Sequence, residues 1–146
     1  MTVRTDGAQV APNGVTALGG FYGYVMKSGL PAELIELVYL CVSQINKHIN
    51  RRATHTRNLT KKDAKVEKLT LVQTWVESGH IFTERERAAL AWAETMTYAP
   101  KARMLEEAFH AASAVLTEKQ LVNLTIAVNL MNAYAKITVG VSPTGN

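Results

Sequence analysis

The stretch EKQLVNLTIAVNLMNAYAKITVG, residues 118–140, limits the possible folds of this chain more than any other. It is apolar almost all the way round a helix, so it needs cover from the rest of a helical bundle or from a second subunit. It does not read as a membrane span. Its apolar centre, LTIAVNLMNAYA, is interrupted by Asn129 and Asn132 and falls short of about 20 residues. Thr117 and Gln120 have the spacing of a capping box, with Leu116 and Leu121 placed as a hydrophobic staple, so the helix starts there. Gly140 and Pro143 close it.

The same punctuation recurs upstream. VTALGGFYGYVMKSG carries Val15, Leu18, Phe21 or Tyr22, and Val25 at helical spacing and stops at Gly29. Pro31 opens PAELIELVYLCVSQIN, in which Leu34, Leu37, Val38, Cys41 and Ile45 form one stripe. Val66, Leu69, Val72 or Gln73, and Trp75 or Val76 suggest a further amphipathic helix ended by Ser78-Gly79. Thr83 and Glu86 form another capping box, opening ERERAALAWAETMTY before Pro100. KARMLEEAFHAASAVL is amphipathic through Met104, Leu105, Ala108, Phe109 and Ala112. No run alternates as a strand does, so the expected fold is all-α. The expected organisation is an irregular arm over 1–14, one helical domain over 15–142 and a tail over 143–146. Trp75, Trp92, Phe109 and Tyr134 are expected in the core or an interface. Asn129, Asn132 and Tyr134 need polar partners on an apolar helix, either lining a pocket or, the favoured expectation, across subunits.

With 146 residues the chain can bury a core without disulfides or a structural metal. Its 47% apolar content excludes global disorder, and its one cysteine excludes a disulfide framework and a four-cysteine zinc site. The first thirty residues lack the basic start and apolar core of a secretory signal, so the expected location is cytoplasmic. Net charge is +4 and very uneven. Between Lys47 and Lys65 stand Lys47, Arg51, Arg52, Arg57, Lys61, Lys62 and Lys65 against Asp63 alone, and the rest of the chain sums to −2. That window holds no Phe, Tyr or Trp to stack on bases, so nucleic acid is not an expected partner, and neither is a membrane. No glycine-rich phosphate loop or nucleophile elbow occurs, and no cofactor is expected.

The residues that carry chemistry are Glu36, then His48, Arg51 and His55. His48 and His55 lie seven apart, two helical turns, so a single helix presents both on one face. A histidine beside a glutamate can exchange protons or ligate a metal, and equally can be a solvated surface residue. His-x6-His with one glutamate is too sparse a donor set to predict a metal site.

Several separate motifs here resemble one family. The run SQIN, the His55-Thr56-Arg57 that follows, FTERERAALAWAETMT and LTEKQLVNLTIAVNLMNAYAKI are similar to the carboxymuconolactone decarboxylase superfamily in its alkylhydroperoxidase AhpD-like branch. The N-terminal YVMKSGLPAELIELVYLCVSQIN fits as well, so the resemblance spans roughly 15–142. It implies an all-helical, homo-oligomeric protein, as a dimer, trimer or hexamer. It also implies peroxiredoxin-type reduction of hydroperoxides by a Cys-x-x-Cys pair, assisted by an upstream glutamate and a downstream histidine. Glu36 and His55 match those two assisting positions. The two cysteine positions are His48 and Arg51, and Lys47 replaces the glycine that usually precedes the first cysteine.

Thiol peroxidase chemistry needs one thiolate to attack the O–O bond and a second thiol to resolve the sulfenic acid. Histidine and arginine do neither, so the implied activity is expected to be lost. Cys41, on an apolar stripe, is expected to be a buried hydrophobe, the alternative being a one-cysteine peroxidase. The expected remainder is a pocket of Glu36, His48, Arg51 and His55 for a small ligand or partner. Arg51 suits a carboxylate by a two-point hydrogen bond, which makes a small organic acid the expected ligand class. The alternative is acid–base chemistry on such an acid, since the superfamily includes a decarboxylase without a thiol mechanism.

Overall fold

The computed structural model describes residues 7–46, 68, 71–78, 80–98 and 101–141. All regular structure among them is helical: α1 (Gly7–Val10), α2 (Pro12–Met26), α3 (Ala32–Asn46), a 3-10 helix (Val72–Glu77), α4 (Glu84–Tyr98), α5 (Ala102–Ser113) and α6 (Glu118–Val141). None of these helices is long and apolar enough to cross a membrane. The tail at 143–146 lies outside the described residues.

Helix begins earlier than the sequence pattern suggests. The arm expected to be irregular through residue 14 is helical from Gly7, and α2 starts at Pro12. Proline's fixed φ and missing N–H suit a first turn, and Ala11 accepts from Gly14 N at 3.1 Å and Val15 N at 3.2 Å. The other end of α2 follows expectation. Gly29 takes φ +94, a left-handed conformation strained for any residue with a Cβ, and the chain turns there into Leu30 and Pro31. Pro31 accepts the first helical bond of α3, from Ile35 N at 3.1 Å.

α3 is the axis of the molecule. Every residue from Leu34 to Ser43 is buried, polar ones included. One side of α3 (Leu34, Ile35, Val38, Tyr39, Val42) packs with Val25 of α2, Ala89, Trp92 and Ala93 of α4, and Leu124, Val128 and Met131 of α6. Another side (Leu37, Leu40, Cys41) packs with Val72, Trp75, Phe82 and Leu90. The single apolar stripe legible in the sequence therefore understates its cover. Conversely, α6 keeps a solvent face although its composition is apolar almost all round: Leu121, Leu124, Ala127, Val128 and Met131 are buried, while Val122 and Ile137 are exposed.

Both capping boxes form. Thr83 N donates to Glu86 Oε1 at 2.8 Å and Glu86 N to Thr83 Oγ1 at 3.1 Å. Thr117 N donates to Gln120 Oε1 at 2.9 Å and Gln120 N to Thr117 Oγ1 at 3.1 Å. The staple residues Leu116 and Leu121 are both buried. Glu86 has a second task, taking both of its oxygens to within 2.9 Å of Lys68 Nζ. Lys68 also reaches Glu33 Oε1 at 3.5 Å, so one ammonium joins the first turns of α3 and α4. Burial acts to lower its pKa, but the hydrogen bond and charge of Glu86, with Glu33 behind, hold it above the ordinary lysine value.

In the stretch expected to be helical around Val66 to Val76, Lys68 and Leu71 are α-helical and Val72–Glu77 is a 3-10 helix. Thr74 departs from helical geometry at φ −118 and ψ 33, and Trp75 is fastened separately. Its Nε1 donates to Glu94 Oε1 at 2.8 Å, and the Arg87 guanidinium stands 5.4 Å from its ring centroid. Those ties to α4 outweigh regular α-helical bonding over so short a run.

The two tasks of Glu86 separate by substitution. Thr83→Ala removes the cap and leaves the ion pair, and is expected to lower stability by about 1 kcal/mol. Glu86→Gln keeps the cap, because glutamine also closes the box, and loses the charge on Lys68. Its expected cost is about 2 kcal/mol. Urea denaturation at neutral pH reads both values.

Candidate functional site

Of the four residues that sequence analysis assigns to the pocket, the structure describes Glu36. His48, Arg51 and His55 lie outside the described residues. Glu36 sits on α3 with no exposed surface, a carboxyl group inside a helical bundle. It is engaged in a polar interaction there rather than left free. Such burial is costly for a carboxylate and is not selected for packing alone.

Ser43 shares this face of α3. It follows Glu36 by seven residues, two helical turns or about 10 Å along the axis. Ser43 is fully buried. Its Oγ and the Gln44 Oε1 have no hydrogen-bond partner among the described residues. In the sequence, Ser43 and Gln44 stand out only as part of the SQIN run. Their signal was available: two polar residues in the last turn before Asn46, following a continuous apolar run from Leu37 to Val42.

The end of α3 is tied down by amides. Asn46 Nδ2 donates to Val42 O and to Asn132 Oδ1, both at 2.9 Å. Asn132 Nδ2 donates in turn to Thr97 Oγ1 and to Val128 O, both at 3.1 Å. Thr97 Oγ1 completes the chain by donating to Ala93 O at 2.7 Å. A relay of three side chains thus joins α3, α6 and α4 just before the segment that carries His48. Asn132 was expected to bond across subunits; its partners are in its own chain, because α3 and α4 bring two short polar side chains within its reach. Asn129 is exposed, donates to Thr125 O at 3.0 Å and lines a surface cavity. Tyr134 packs against the main core.

Cys41 is 3% exposed, which matches its expected core role. Burial pushes its thiol up to about 12, and the carboxylate of Glu94 adds in the same direction. Near neutral pH the thiol form is therefore strongly favoured over the thiolate, the form that attacks peroxides.

Trp75 and Trp92 are buried as expected, with Trp92 Nε1 donating to Thr125 Oγ1 at 2.9 Å. Phe109 is not in the core of the single chain: it is exposed and meets Trp92 edge-on at 6.1 Å. His80 and His110 are exposed too. No group of three metal-binding side chains occurs among the described residues.

Comparison with known proteins agrees with this architecture. A family model for the carboxymuconolactone decarboxylase family matches residues 12–95. An uncharacterized protein of Bacillus subtilis (strain 168), YdfG, is 25% identical over 139 residues, covering 95% of this chain and 94% of its own. A crystal structure from Agrobacterium tumefaciens superposes with a TM-score of 0.88 at 26% identity, covering 99% of this chain and 100% of that one. That protein is described as of unknown function and assigned provisionally to antioxidant defence as AhpD.

The thiol gives a pH test. The folded pKa of Cys41 is raised, so the unfolded chain loses its proton first, near 9, and binds fewer protons than the native state up to about 12. Stability is therefore expected to fall as pH rises from about 9 toward 12, and less steeply in Cys41→Ala. Urea denaturation of both proteins at pH 8 and pH 10.5 reads the difference. The amide relay gives another test. Asn132→Ala leaves Asn46 and Thr97 without their shared partner and is expected to cost about 2 kcal/mol in the same assay.

Proposed function

Because the chain belongs to the carboxymuconolactone decarboxylase family, we propose that it keeps the helical scaffold of that family without dithiol peroxidase chemistry, and that Glu36, His48, Arg51 and His55 form a pocket for a small organic acid. The observation that carries this reading is the state of Cys41. The sole cysteine is sealed in the core and its thiol is pushed up to about 12. His48 and Arg51 stand where the peroxidase pattern has its thiols. A guanidinium and imidazoles suit a carboxylate ligand by charge-assisted hydrogen bonds. The buried Ser43 hydroxyl, on the Glu36 face of α3, is a further polar group on that side of the helix.

A second reading is favoured by the complete burial of Glu36. A buried carboxyl group and a histidine are the parts needed to move a proton at a carbon next to a carboxylate. In that reading the bound acid is a substrate for decarboxylation or isomerisation.

Hydroperoxide reduction with a dithiol donor tests the loss of thiol chemistry. The natural protein is expected to be inactive, and the double variant His48→Cys with Arg51→Cys to gain activity on the retained scaffold. Activity in the natural protein that disappears in Cys41→Ser would overturn the proposal and identify a one-cysteine peroxidase. A panel of mono- and dicarboxylates and lactones tests the ligand. At least one is expected to raise the melting temperature of the natural protein and to do so less in Arg51→Ala.

A further inference from the structure

Four serine or threonine side chains lie out of full solvent on the described α-helices: Ser43, Thr95, Thr97 and Thr125. The three threonines follow one rule. Each donates to the carbonyl oxygen four residues back, Thr95 to Ala91 at 2.8 Å, Thr97 to Ala93 at 2.7 Å and Thr125 to Leu121 at 2.7 Å. Ser43 breaks it. It is the most buried of the four, with no exposed surface, and its Oγ has no hydrogen-bond partner among the described residues. The Tyr39 carbonyl stands at the same offset, so the hydroxyl forgoes a bond that its own helix offers. Gln44 Oε1 is unpartnered too, but consecutive residues point about 100° apart around a helix and do not face each other. A buried hydroxyl left unpaired costs stability, and alanine is the better helix former.

The position of Ser43 says what its partner is. Seven residues separate it from Glu36, so the two lie within about 20° of each other around α3 and about 10 Å apart along it. Their line runs between Tyr39, which packs in the main apolar cluster, and Leu40, which packs in the second. One end of the line is a carboxyl group and the other a neutral hydroxyl, both out of solvent. A ligand carboxylate beside Glu36 would put two carboxyl groups together in a buried site, where both cannot ionise. Beside Ser43 it meets an uncharged donor instead, and an O–H given to an ionised acceptor makes a strong hydrogen bond.

We propose that Ser43 is the residue of α3 that receives the ligand's carboxylate, and that the line from Ser43 to Glu36 thereby selects monocarboxylic acids over dicarboxylic ones. This rests on the reading of the pocket as a site for a small organic acid. The hydroxyl is already stripped of water in the free protein, so binding adds no further desolvation of this donor. Because Ser43 is sealed, the acid reaches it as neighbouring side chains give way, a minor state of the free protein that the ligand makes dominant.

Thermal unfolding of the full-length protein tests the proposal, with a panel of straight-chain monocarboxylates, each beside the dicarboxylate and the amide of equal length. At least one monocarboxylate is expected to raise the melting temperature of the natural protein, and its dicarboxylate and amide to do so less. That acid is expected to bind Ser43→Ala about tenfold more weakly, since a hydrogen bond to a charged acceptor is lost. Ser43→Cys, close in size but a weak donor, is expected to bind it as Ser43→Ala does. Without ligand, at least one of the two variants is expected to melt no lower than the natural protein. If both melt lower, the hydroxyl serves the fold and the proposal is overturned. Equal binding by the natural protein and Ser43→Ala, with weaker binding by Arg51→Ala, overturns it and leaves the organic-acid pocket standing. Preference for the dicarboxylate overturns the selection. Binding of no acid at all overturns both the proposal and the reading on which it rests.

Discussion

The all-round burial of α3 is the constraint on which the rest of the structure depends. A helix covered on every side needs neighbours on at least three flanks, and α2, α4, α6 and the 3-10 helix around Trp75 supply them. The two apolar clusters are separated by α3, so neither forms unless that helix is in place. Its apolar residues gain hydrophobic stabilisation from that cover, of about 1.5–3 kcal/mol for a side chain such as Leu37 or Ile35 that leaves water completely. Glu36 and Ser43 gain nothing of the kind. Their place in the central helix is a stability cost.

Polar ties turn this apolar packing into one defined arrangement. Lys68 joins the first turns of α3 and α4, Trp75 and Trp92 each fix a ring through their indole N–H, and the Asn46–Asn132–Thr97 relay locks the far end of α3. Apolar contacts tolerate sliding by a fraction of a turn, whereas hydrogen bonds with both partners buried do not, because a lost partner leaves a desolvated group. The relay ends two residues before His48. The last turn of α3 is therefore held in place by its own side chains.

Much of the fold was legible locally. Thr83 with Glu86 and Thr117 with Gln120 were readable as capping boxes because both members lie within one turn and satisfy each other's backbone groups. Gly29 was readable as a stop because its conformation excludes a Cβ. The core role of Cys41 was legible from its apolar stripe. The partners of Asn132 were not. An amide on an apolar helix announces that it needs a hydrogen bond, but Asn46 and Thr97 lie far from it in the chain and only packing brings them near. That Phe109 lies outside the core of the single chain was not legible either, because an aromatic at helical spacing gives the face of its helix without saying whether that face is covered.

The sequence by itself determined the helical character of the chain, most of the helix ends and the absence of a thiol pair, since these depend on residues within a turn of one another or on composition. Only the tertiary structure decided which helix is central. The sequence pattern pointed to α6 as the helix in most need of cover, yet α3 is enclosed and α6 keeps an exposed stripe. Burial is a property of how many neighbours converge on a helix, and that number is set by the assembly of all the helices rather than by the residues of any one.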